Sequence, residues 1–303
     1  MRANIIPVYS DDGRNSTAVA LSPVWMMGVS EIENIEVDLF LEAVYRRYGY
    51  DFRDYARASI DRRVHRLLTI SGAETISDMI VRVMHEDDFI SEIVSIFSIT
   101  VTEMFRDAAF YKGLREKVVP FLKTYPYIKI WHAGCASGEE AYSLAILLKE
   151  EGLYDRATIF ATDINDTALT QAKSGVYSIE DIRKSTENYQ KSGGRKSLSD
   201  YYHAEYDAVI MSRELKKNIT FANHNLVIDG VFSEIHLVLC RNVVIYFNKV
   251  LQERVYRLFE ESLVYGGFLC LGMKESLDFS GVRAQFMDID SGLRIFTKKS
   301  EVS

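Results

Sequence analysis

The N-terminal third of the chain follows the hydrophobic spacing of amphipathic helices. Apolar side chains recur at steps of three and four residues from Val37 to Tyr48, which predicts a helix beginning near Glu33. The same spacing predicts helices near residues 54–68, 74–84 and 87–97, and a longer one near 107–123. Residues 1–30 show no such period, so we expect a mobile leader there and a helical domain over residues 31–105.

Beyond residue 127 the pattern changes to short apolar runs that alternate with helical spacing. Ile128–Trp131 and Ala157–Thr162 each predict a buried strand, with a helix between them that presents Ala141, Leu144, Ala145 and Leu148 on one face. Helices are also predicted near residues 166–174 and 249–264, and further strands at 219–221, 235–240, 268–271, 284–288 and 294–297. This alternation predicts an α/β fold with a Rossmann-like, mostly parallel sheet over residues 106–303.

The alternation breaks between residues 175 and 217. This stretch is rich in Ser, Tyr and Lys, contains Gly193-Gly194, and has strand-like pieces at residues 201–203 and 208–211. We therefore predict a small β-subdomain, residues 175–217, inserted into the larger α/β domain.

The segment Trp131–Ser143, which joins the first strand to its helix, carries the most informative chemistry of the chain. Gly134 and Gly138 allow a sharp turn and a close approach of the backbone to a ligand. Asp163 ends the second strand, where nucleoside-binding α/β folds hold ribose hydroxyls. The spacing is not GxGxxG, and two glutamates at the helix start would repel a pyrophosphate, so a cationic adenosine ligand such as S-adenosylmethionine fits better than a dinucleotide. An ordinary strand-to-helix turn remains the alternative, with Asp163 as the cap of the next helix.

Composition narrows the class of protein. A chain of 303 residues with 48% hydrophobic content can bury a large core, and its length suggests two domains. Its net charge of -7 gives no general reason to expect nucleic acid or an anionic membrane as a partner. No apolar run approaches the ~20 residues of a membrane span, and the N-terminus lacks a signal-peptide pattern. Three cysteines without metal-like spacing are typical of reduced thiols, so we expect a cytoplasmic protein without a metal site.

Five segments form a set of specific motifs. They are T-V-T-E-M-F-R-D at 100–107, A-G-C-A-S-G-E-E-A-Y-S at 133–143, F-A-N-H-N-L at 221–226, L-C-R-N-V-V-I-Y-F at 239–247, and G-G-F-L-C-L-G with Glu275-Ser276 at 266–276. Together they resemble the chemotaxis receptor glutamate O-methyltransferase family, and the resemblance runs from about Tyr50 to Lys298. It implies a methyltransferase fold, with S-adenosylmethionine as the cofactor and S-adenosylhomocysteine as its product. The implied reaction is methyl esterification of glutamate side chains on a protein acceptor.

The implied reaction needs orientation rather than a general base. A solvated glutamate has a pKa of about 4.3, so its carboxylate is already the nucleophile at neutral pH. Alignment of the carboxylate oxygen, the methyl carbon and the sulfonium sulfur can lower the barrier by about 7–11 kcal/mol. By resemblance, Arg106 and Tyr246 are the catalytic residues. The guanidinium fork of Arg106 suits a carboxylate, and the hydroxyl of Tyr246 could donate to the substrate oxygen.

The resemblance also assigns the cofactor-binding residues, which are Thr100, Thr102, Arg106, Gly134, Glu139, Asp163, Asn225, Leu226, Arg241 and Asn242. We expect Asp163 at the ribose hydroxyls, Glu139 near the ammonium group of the methionine moiety, and the Asn225-Leu226 pair around the adenine. Glu140 is expected only to complement the helix dipole. Thr100 stands where many relatives have Asn, which removes an amide from this edge of the site.

A cluster of arginines on the second predicted helix indicates how a protein substrate is recognised: Arg57, Arg62, Arg63 and Arg66. In an acidic chain, this basic patch favours an acidic partner, such as the methylation helices of a chemoreceptor or another signalling protein. The alternative is a solvated helix face. Two other functions stay open, a cofactor-sensing signalling scaffold and the same enzyme acting on another protein or on RNA. The inserted subdomain is longer and richer in tyrosine around residues 193–213 than in the family, so docking of a receptor tail stays open.

Overall fold

The computed structural model describes residues 29–98 and 102–300 of the chain. Most of the predicted leader therefore lies outside the described residues, and so does Thr100. Within these ranges, no helix has both the length and the apolar composition that a membrane crossing needs.

The N-terminal helical domain contains four helices, α1 (Val29–Tyr48), α2 (Arg57–Ser71), α3 (Ile76–His85) and α4 (Phe89–Phe97). Thr75 begins α3 with a capping box, because its hydroxyl accepts from the backbone of Asp78 while the carboxylate of Asp78 accepts from the backbone of Thr75. The apolar stripe predicted on α1 is buried against Phe52 and Phe97. These helices form a core of their own, which confirms the predicted helical pattern.

The second domain is built on a seven-stranded sheet with the order β6-β2-β1-β7-β8-β10-β9. Its strands are β1 (Ile128–Ala133), β2 (Ala157–Asp163), β6 (Ile219–Asn223), β7 (Ile235–Cys240), β8 (Leu263–Leu271), β9 (Phe286–Asp290) and β10 (Ile295–Lys298). The strands from β6 to β8 pair in parallel, whereas β10 is antiparallel to both of its neighbours. The predicted α/β class and the Rossmann-like sheet are therefore confirmed.

The helices of this domain are α5 (Ala108–Lys117), α6 (Val119–Leu122), α7 (Glu139–Glu150), α8 (Asp166–Ser174), α9 (Ile179–Lys191), α10 (Arg213–Lys216) and α11 (Lys249–Ser262). The prediction of a single helix near 107–123 is wrong, because the helix is interrupted between α5 and α6. Pro120 explains the break, since it has no N–H to donate to the preceding turn and its ring would collide with that turn. It is accepted in the first turn of α6, where an N–H needs no partner.

The inserted segment contains a separate three-stranded antiparallel sheet, in which β5 (Ala208–Met211) lies between β3 (Val176–Ser178) and β4 (Tyr202–Glu205). The predicted β-subdomain is thus confirmed, but it also contains helix α9, which the sequence pattern did not predict. Only three side chains of α9 are buried, so its apolar signal is weak. One of them, Tyr189, donates its hydroxyl to Glu150 at 2.5 Å and so fixes the subdomain to the end of α7.

A short backbone seam joins the two domains. Ala56 donates its N–H to the carbonyl of Tyr246 at 2.8 Å, and Asn248 donates to the carbonyl of Asp54 at 2.8 Å. Between these bonds, the rings of Tyr55 and Phe247 meet edge to face with centroids 4.9 Å apart. The seam places the first turn of α2 directly beside the loop that carries Tyr246.

Candidate functional site

Two adjoining cavities open at the carboxyl ends of β1 and β7. The first has a volume of about 240 Å³ and is lined by Thr102, Arg106, His132, Gly134, Cys135, Ala136, Glu140, Arg241, Asn242, Val243 and Tyr246. The second is lined by Tyr55, Gly134, Asp163, Ile164, His224, Asn225, Leu226, Val227, Val243 and Phe247. Both share Gly134 and Val243, so one elongated ligand could occupy the two cavities. This is the switch point of the sheet, where β1 pairs with β2 on one side and β7 on the other.

Gly134 is required by this geometry for two reasons. Its φ of 78° lies in the left-handed region, and a Cβ at this position would overlap Cγ2 of Val243. The absence of a side chain therefore lets Val243 pack directly on the loop after β1. Ala136, two residues later, also has a positive φ of 47°, which turns its N–H toward Asp163.

Asp163 is buried at the end of β2 and is fixed by backbone donors. Its Oδ2 accepts from the N–H of Ala136 at 2.8 Å, and its Oδ1 accepts from the N–H of Asn165 at 2.9 Å. Burial raises the pKa of this carboxyl, while these backbone hydrogen bonds lower it. The alternative role as a helix cap is wrong, because Asn165 caps α8 by accepting from the N–H of Ala168 at 3.0 Å. Asp163 instead lines the second cavity, as expected of a ribose ligand.

Asn225 and Leu226 lie together in the wall of the second cavity. The Oδ1 of Asn225 accepts from the N–H of Val227 at 2.9 Å, which makes a local turn and leaves the amide nitrogen as the group able to contact a ligand. Leu226 is buried and presents an apolar surface. The structure thus brings both residues to the same cavity as Asp163.

Arg241 lines the first cavity and forms two ion pairs with neighbouring carboxylates. Its side chain is fully buried, with Nη2 2.6 Å from Oδ2 of Asp107 and Nη1 3.1 Å from Oε2 of Glu140. The guanidinium also lies 4.1 Å from the ring centroid of Phe110. Because its bonds join β7, α5 and α7, Arg241 supports the cavity wall in addition to lining it.

The two adjacent glutamates at the start of α7 are placed differently from the sequence expectation. The carboxylate of Glu139, the predicted cofactor ligand, accepts from the hydroxyl of Ser137 at 2.8 Å and does not line the first cavity. Burial raises the pKa of Glu139 to about 7. Glu140 lines the cavity instead, and its Oε1 lies 3.5 Å from Nε2 of His132. Consecutive residues of an α-helix point about 100° apart. Glu140 therefore faces the first cavity, while Glu139 is turned toward Ser137.

Asn242 is held in position by Glu275, to which the sequence motif alone gave no role. Asn242 has a φ of 61°, in the left-handed region. The buried carboxylate of Glu275 accepts from the N–H groups of Asn242 at 3.0 Å, Val243 at 2.8 Å and Gly272 at 2.5 Å. This single side chain therefore fixes the loop that follows β7. Two of these partners, Asn242 and Val243, lie more than thirty residues away in the chain, so no local pattern could reveal them.

The proposed catalytic residues Arg106 and Tyr246 lie in the wall of the first cavity, together with Thr102. Arg106 lies between two residues with left-handed backbones, Phe105 with φ 54° and Asp107 with φ 59°. Such conformations cost energy in residues other than glycine and are concentrated at functional sites. Arg106 is therefore held by a strained, well-defined turn.

The four arginines assigned to substrate binding do not form one exposed patch, because Arg63 is buried, whereas their role in substrate binding stays a prediction. Arg57 pairs with Asp38 and Asp61, whereas Arg62 and Arg66 are exposed and have no ion pair within the described residues. Arg63 is buried, and its guanidinium lies 4.8 Å from the ring centroid of Tyr246. Arg63 occupies the apolar stripe of α2 with Ile60, Val64 and Leu67, and this position was the signal that could have separated it from the others.

Five residues that line the first cavity or hold its lining residues were given no binding role by the sequence analysis. They are Asp107, His132, Glu140, Val243 and Glu275. Burial lowers the pKa of His132, which keeps its imidazole neutral at pH 7. His132 is therefore not a cationic binding group.

Comparisons with known proteins agree with this geometry. The model described as "CheR methyltransferase, SAM binding domain" matches residues 100–293, and the one described as "CheR methyltransferase, all-alpha domain" matches residues 35–97. "Putative methyltransferase Cher3" of Pseudomonas putida is 49% identical over 88% of this chain and 97% of its own. "Chemotaxis protein methyltransferase" of Listeria innocua is 28% identical over 81% of this chain and 92% of its own.

Among solved structures, "N-methyltransferase NodS from Bradyrhizobium japonicum WM9 in complex with S-adenosyl-l-homocysteine" matches 56% of this chain and 62% of its own, at 13% identity and a TM-score of 0.32. The cofactor predicted from the sequence, S-adenosylmethionine, is confirmed by the match to the SAM-binding domain. Since the two family domains together cover most of residues 35–293, the chain belongs to the CheR methyltransferase family.

Proposed function

We propose that this protein transfers a methyl group from S-adenosylmethionine to glutamate side-chain carboxylates of a methyl-accepting chemotaxis receptor. The observation that carries this proposal is the pair of arginines around Tyr246. Arg106 shares a cavity with Tyr246, and Arg63 packs on its ring. A carboxylate substrate needs cationic and hydrogen-bonding groups to orient it, and these residues can supply both.

Two sets of residues fit the cofactor. Asp163, Asn225 and Leu226 would hold the adenosine part, because they combine a carboxylate for hydroxyl groups with an amide and an apolar wall. Glu140 would accept from the ammonium of the methionine part, a role that the sequence analysis gave to Glu139. When bound, the cofactor supplies an electrophilic methyl group on a positively charged sulfur. Gly134 and Val243 line both cavities, which supports a ligand that spans them.

The protein residues would then act on the incoming carboxylate. Arg106 would bind one of its oxygens and restrict the rotation of the group, while the hydroxyl of Tyr246 would donate to it and direct the attacking lone pair. Removal of a proton from the substrate is unnecessary, since a glutamate is ionised at neutral pH. In this proposal the rate therefore depends on alignment and on the electrostatics of Arg106.

The chemotaxis acceptor is supported by the names of several relatives, including those of Listeria innocua and Borreliella burgdorferi. It is also supported by charge, because Arg62 and Arg66 are exposed on α2 without ion pairs in the described ranges. These two arginines lie on the same helix as Arg63, so an acidic helix bound along α2 would reach the first cavity.

The proposal is tested by a methyl-transfer assay with labelled S-adenosylmethionine and a purified chemoreceptor cytoplasmic fragment. We expect label that base releases, as from a methyl ester, and a raised KM for the fragment when Arg62 and Arg66 are both changed to Glu. The effect should shrink with added salt, since exposed charges are screened beyond about 8 Å at physiological ionic strength. The matched control reverses two exposed lysines of the catalytic domain, Lys112 and Lys173, which changes the net charge equally.

Three outcomes separate the alternatives. Equal KM values for wild type and the Arg62/Arg66 variant would show that these arginines form only a solvated face. No labelled receptor fragment, but base-labile label in a total cell extract, would point to a different protein acceptor. Binding of S-adenosylhomocysteine without any methyl transfer would favour a cofactor-sensing scaffold.

A further inference from the structure

Phe279 has an unusual position for a large apolar residue. Its relative exposure is 104%, and its φ of 70° lies in the left-handed region. Both properties are unfavourable, since an apolar ring loses contact with other apolar groups and a side chain other than glycine is strained at this φ. A residue with two such costs, which the surrounding chain nevertheless maintains, indicates a function in binding.

The loop that presents Phe279, residues 276–281, is fixed at both ends. Ser276 donates its hydroxyl to Asp278 at 2.7 Å and accepts from the N–H of Asp278 at 3.0 Å. At the other end, the N–H of Gly281 donates to Glu253 on α11 at 2.7 Å. The ring is therefore displayed by an ordered turn and needs little further ordering when a partner binds.

The charges around Phe279 favour an acidic partner. Lys249 lines the same shallow pocket as Phe279, and Lys274 lies on the preceding turn; both are exposed, and neither has an ion pair within residues 29–98 and 102–300. The acids of the loop are already paired, Asp278 with Arg283 at 3.5 Å and Glu253 with Arg257 at 3.2 Å. The charges left for a partner are therefore positive. Val250 adds a second apolar side chain, 69% exposed, beside Lys249.

The loop is also close to the catalytic site. Phe279 is four residues from Glu275, so the Cα atoms of these two residues are at most about 14 Å apart. The carboxylate of Glu275 in turn accepts from the backbone N–H of Asn242. An α-helix covers the distance from Phe279 to Glu275 in about nine residues, and each further turn adds about 5 Å toward Asn242 in the first cavity. One amphipathic helix could therefore place a glutamate in the first cavity and an apolar side chain against Phe279.

We propose that Phe279 and Val250, flanked by Lys249 and Lys274, form a docking surface for the apolar face of the acidic acceptor helix that carries the methylated glutamate. This inference rests on the proposed function and adds to it a second contact on the catalytic domain, separate from α2. The surface recognises the acceptor and takes no part in binding the cofactor.

The test compares Phe279→Ser with wild type in methyl transfer to a purified chemoreceptor cytoplasmic fragment that lacks its C-terminal tail. We expect KM for the fragment to rise on the order of tenfold, as for the loss of an interface anchor, with unchanged affinity for S-adenosylhomocysteine and unchanged Tm. Phe279→Leu should restore most of the affinity, because it keeps an apolar side chain. The matched control is Tyr206→Ser, since Tyr206 is also an aromatic residue with a positive φ, 53°, and 92% exposure.

The result that would overturn the inference is an unchanged KM in Phe279→Ser while the fragment is still methylated. An equal rise in Tyr206→Ser, or a rise in KM that accompanies a fall in Tm, would also overturn it, because the effect would then be general or structural. No methylation of the fragment by any variant would refute the proposed receptor acceptor itself, and the inference with it.

Discussion

The guanidinium of Arg63 lies 4.8 Å from the ring centroid of Tyr246, so a residue of the helical domain forms part of the candidate active site. The backbone seam between residues 54–56 and 246–248 makes this contact possible, since it fixes the start of α2 beside the loop after β7. Arg63 donates to the hydroxyl of Ser59, but its Nε and Nη2 atoms are buried without a partner among the described residues. The helical domain thus places a partly unsatisfied cation against the ring of Tyr246.

Replacement of Arg63 by Met should separate activity from stability. A buried cation with unpaired donors is costly, so an apolar side chain of similar length should leave the free energy of unfolding within about 1 kcal/mol of wild type or raise it. Methyl transfer should fall on the order of a hundredfold, as when one preorganised donor is lost. Urea unfolding and single-turnover rates measure the two effects. Arg62→Met is the control, because Arg62 is exposed one position earlier on α2 and should change kcat little.

The contrary result for Arg63→Met would be a large loss of stability with a normal rate in the folded fraction. That outcome would make Arg63 a structural link between the domains and remove it from the substrate site.

Glu140→Gln and Glu139→Gln should differ in their effect on cofactor affinity. Glu140 lines the first cavity, and loss of a charge-assisted hydrogen bond costs about 1.5–3 kcal/mol, so S-adenosylhomocysteine should bind roughly ten- to a hundredfold more weakly to Glu140→Gln. Glu139→Gln should bind it almost normally, because this side chain is turned toward Ser137. Isothermal titration calorimetry with S-adenosylhomocysteine measures the affinity of each variant. The reverse order of affinities would restore the role that the sequence comparison gave to Glu139.

Local patterns predicted those parts of the site that depend on neighbouring residues in the chain. Asp163 could be located because a buried strand and the turn after it define its position. Asn225 and Leu226, which follow β6, were assigned through the family resemblance. The strands themselves follow from short apolar runs. The separation of α5 from α6 was missed, although Pro120 was a visible signal for it.

Contacts between distant segments could not be predicted in this way. Glu139 and Glu140 have the same chemistry, and α7 is buried on nearly all sides, so its hydrophobic pattern does not show which acid faces the sheet. The role of Glu275 depends on the close approach of two loops that follow different strands. Among these contacts, that of Arg63 with Tyr246 has a visible sequence signal, because Arg63 lies on the apolar stripe of α2.

Glu275→Gln should reduce both stability and cofactor affinity. The carboxylate accepts from three backbone N–H groups, and an amide would turn its own NH₂ group toward at least one of those donors. Leaving buried donors unpaired should lower the free energy of unfolding by about 2–4 kcal/mol. Asn242 would also lose the bond that holds its left-handed backbone, so affinity for S-adenosylhomocysteine should fall. Asp278→Asn, an exposed change on the following turn, should have little effect in the same urea and calorimetric measurements.

An unchanged unfolding free energy in Glu275→Gln would mean that the loop after β7 is held mainly by packing. In that event the positioning role of Glu275 would be withdrawn, while the assignment of Asn242 to the cavity would stand.

Glu139 should make stability depend on pH between about 4.5 and 7. Its pKa is raised from 4.5 to about 7 in the folded protein, so the native state binds more protons than the unfolded state in this window. The contribution of Glu139 to the free energy of unfolding is therefore fully present below pH 4.5, the pKa of the unfolded chain. It is lost as the pH rises through 7, the pKa of the folded protein. Glu139→Gln cannot ionise, so its stability relative to wild type should increase from pH 5 to pH 8 by up to roughly 3 kcal/mol. Urea unfolding of both proteins at several pH values gives this difference directly, with Glu261→Gln on the exposed side of α11 as the control. A difference that stays constant across this range would show that the Glu139 carboxyl ionises as readily in the folded protein as in the unfolded chain.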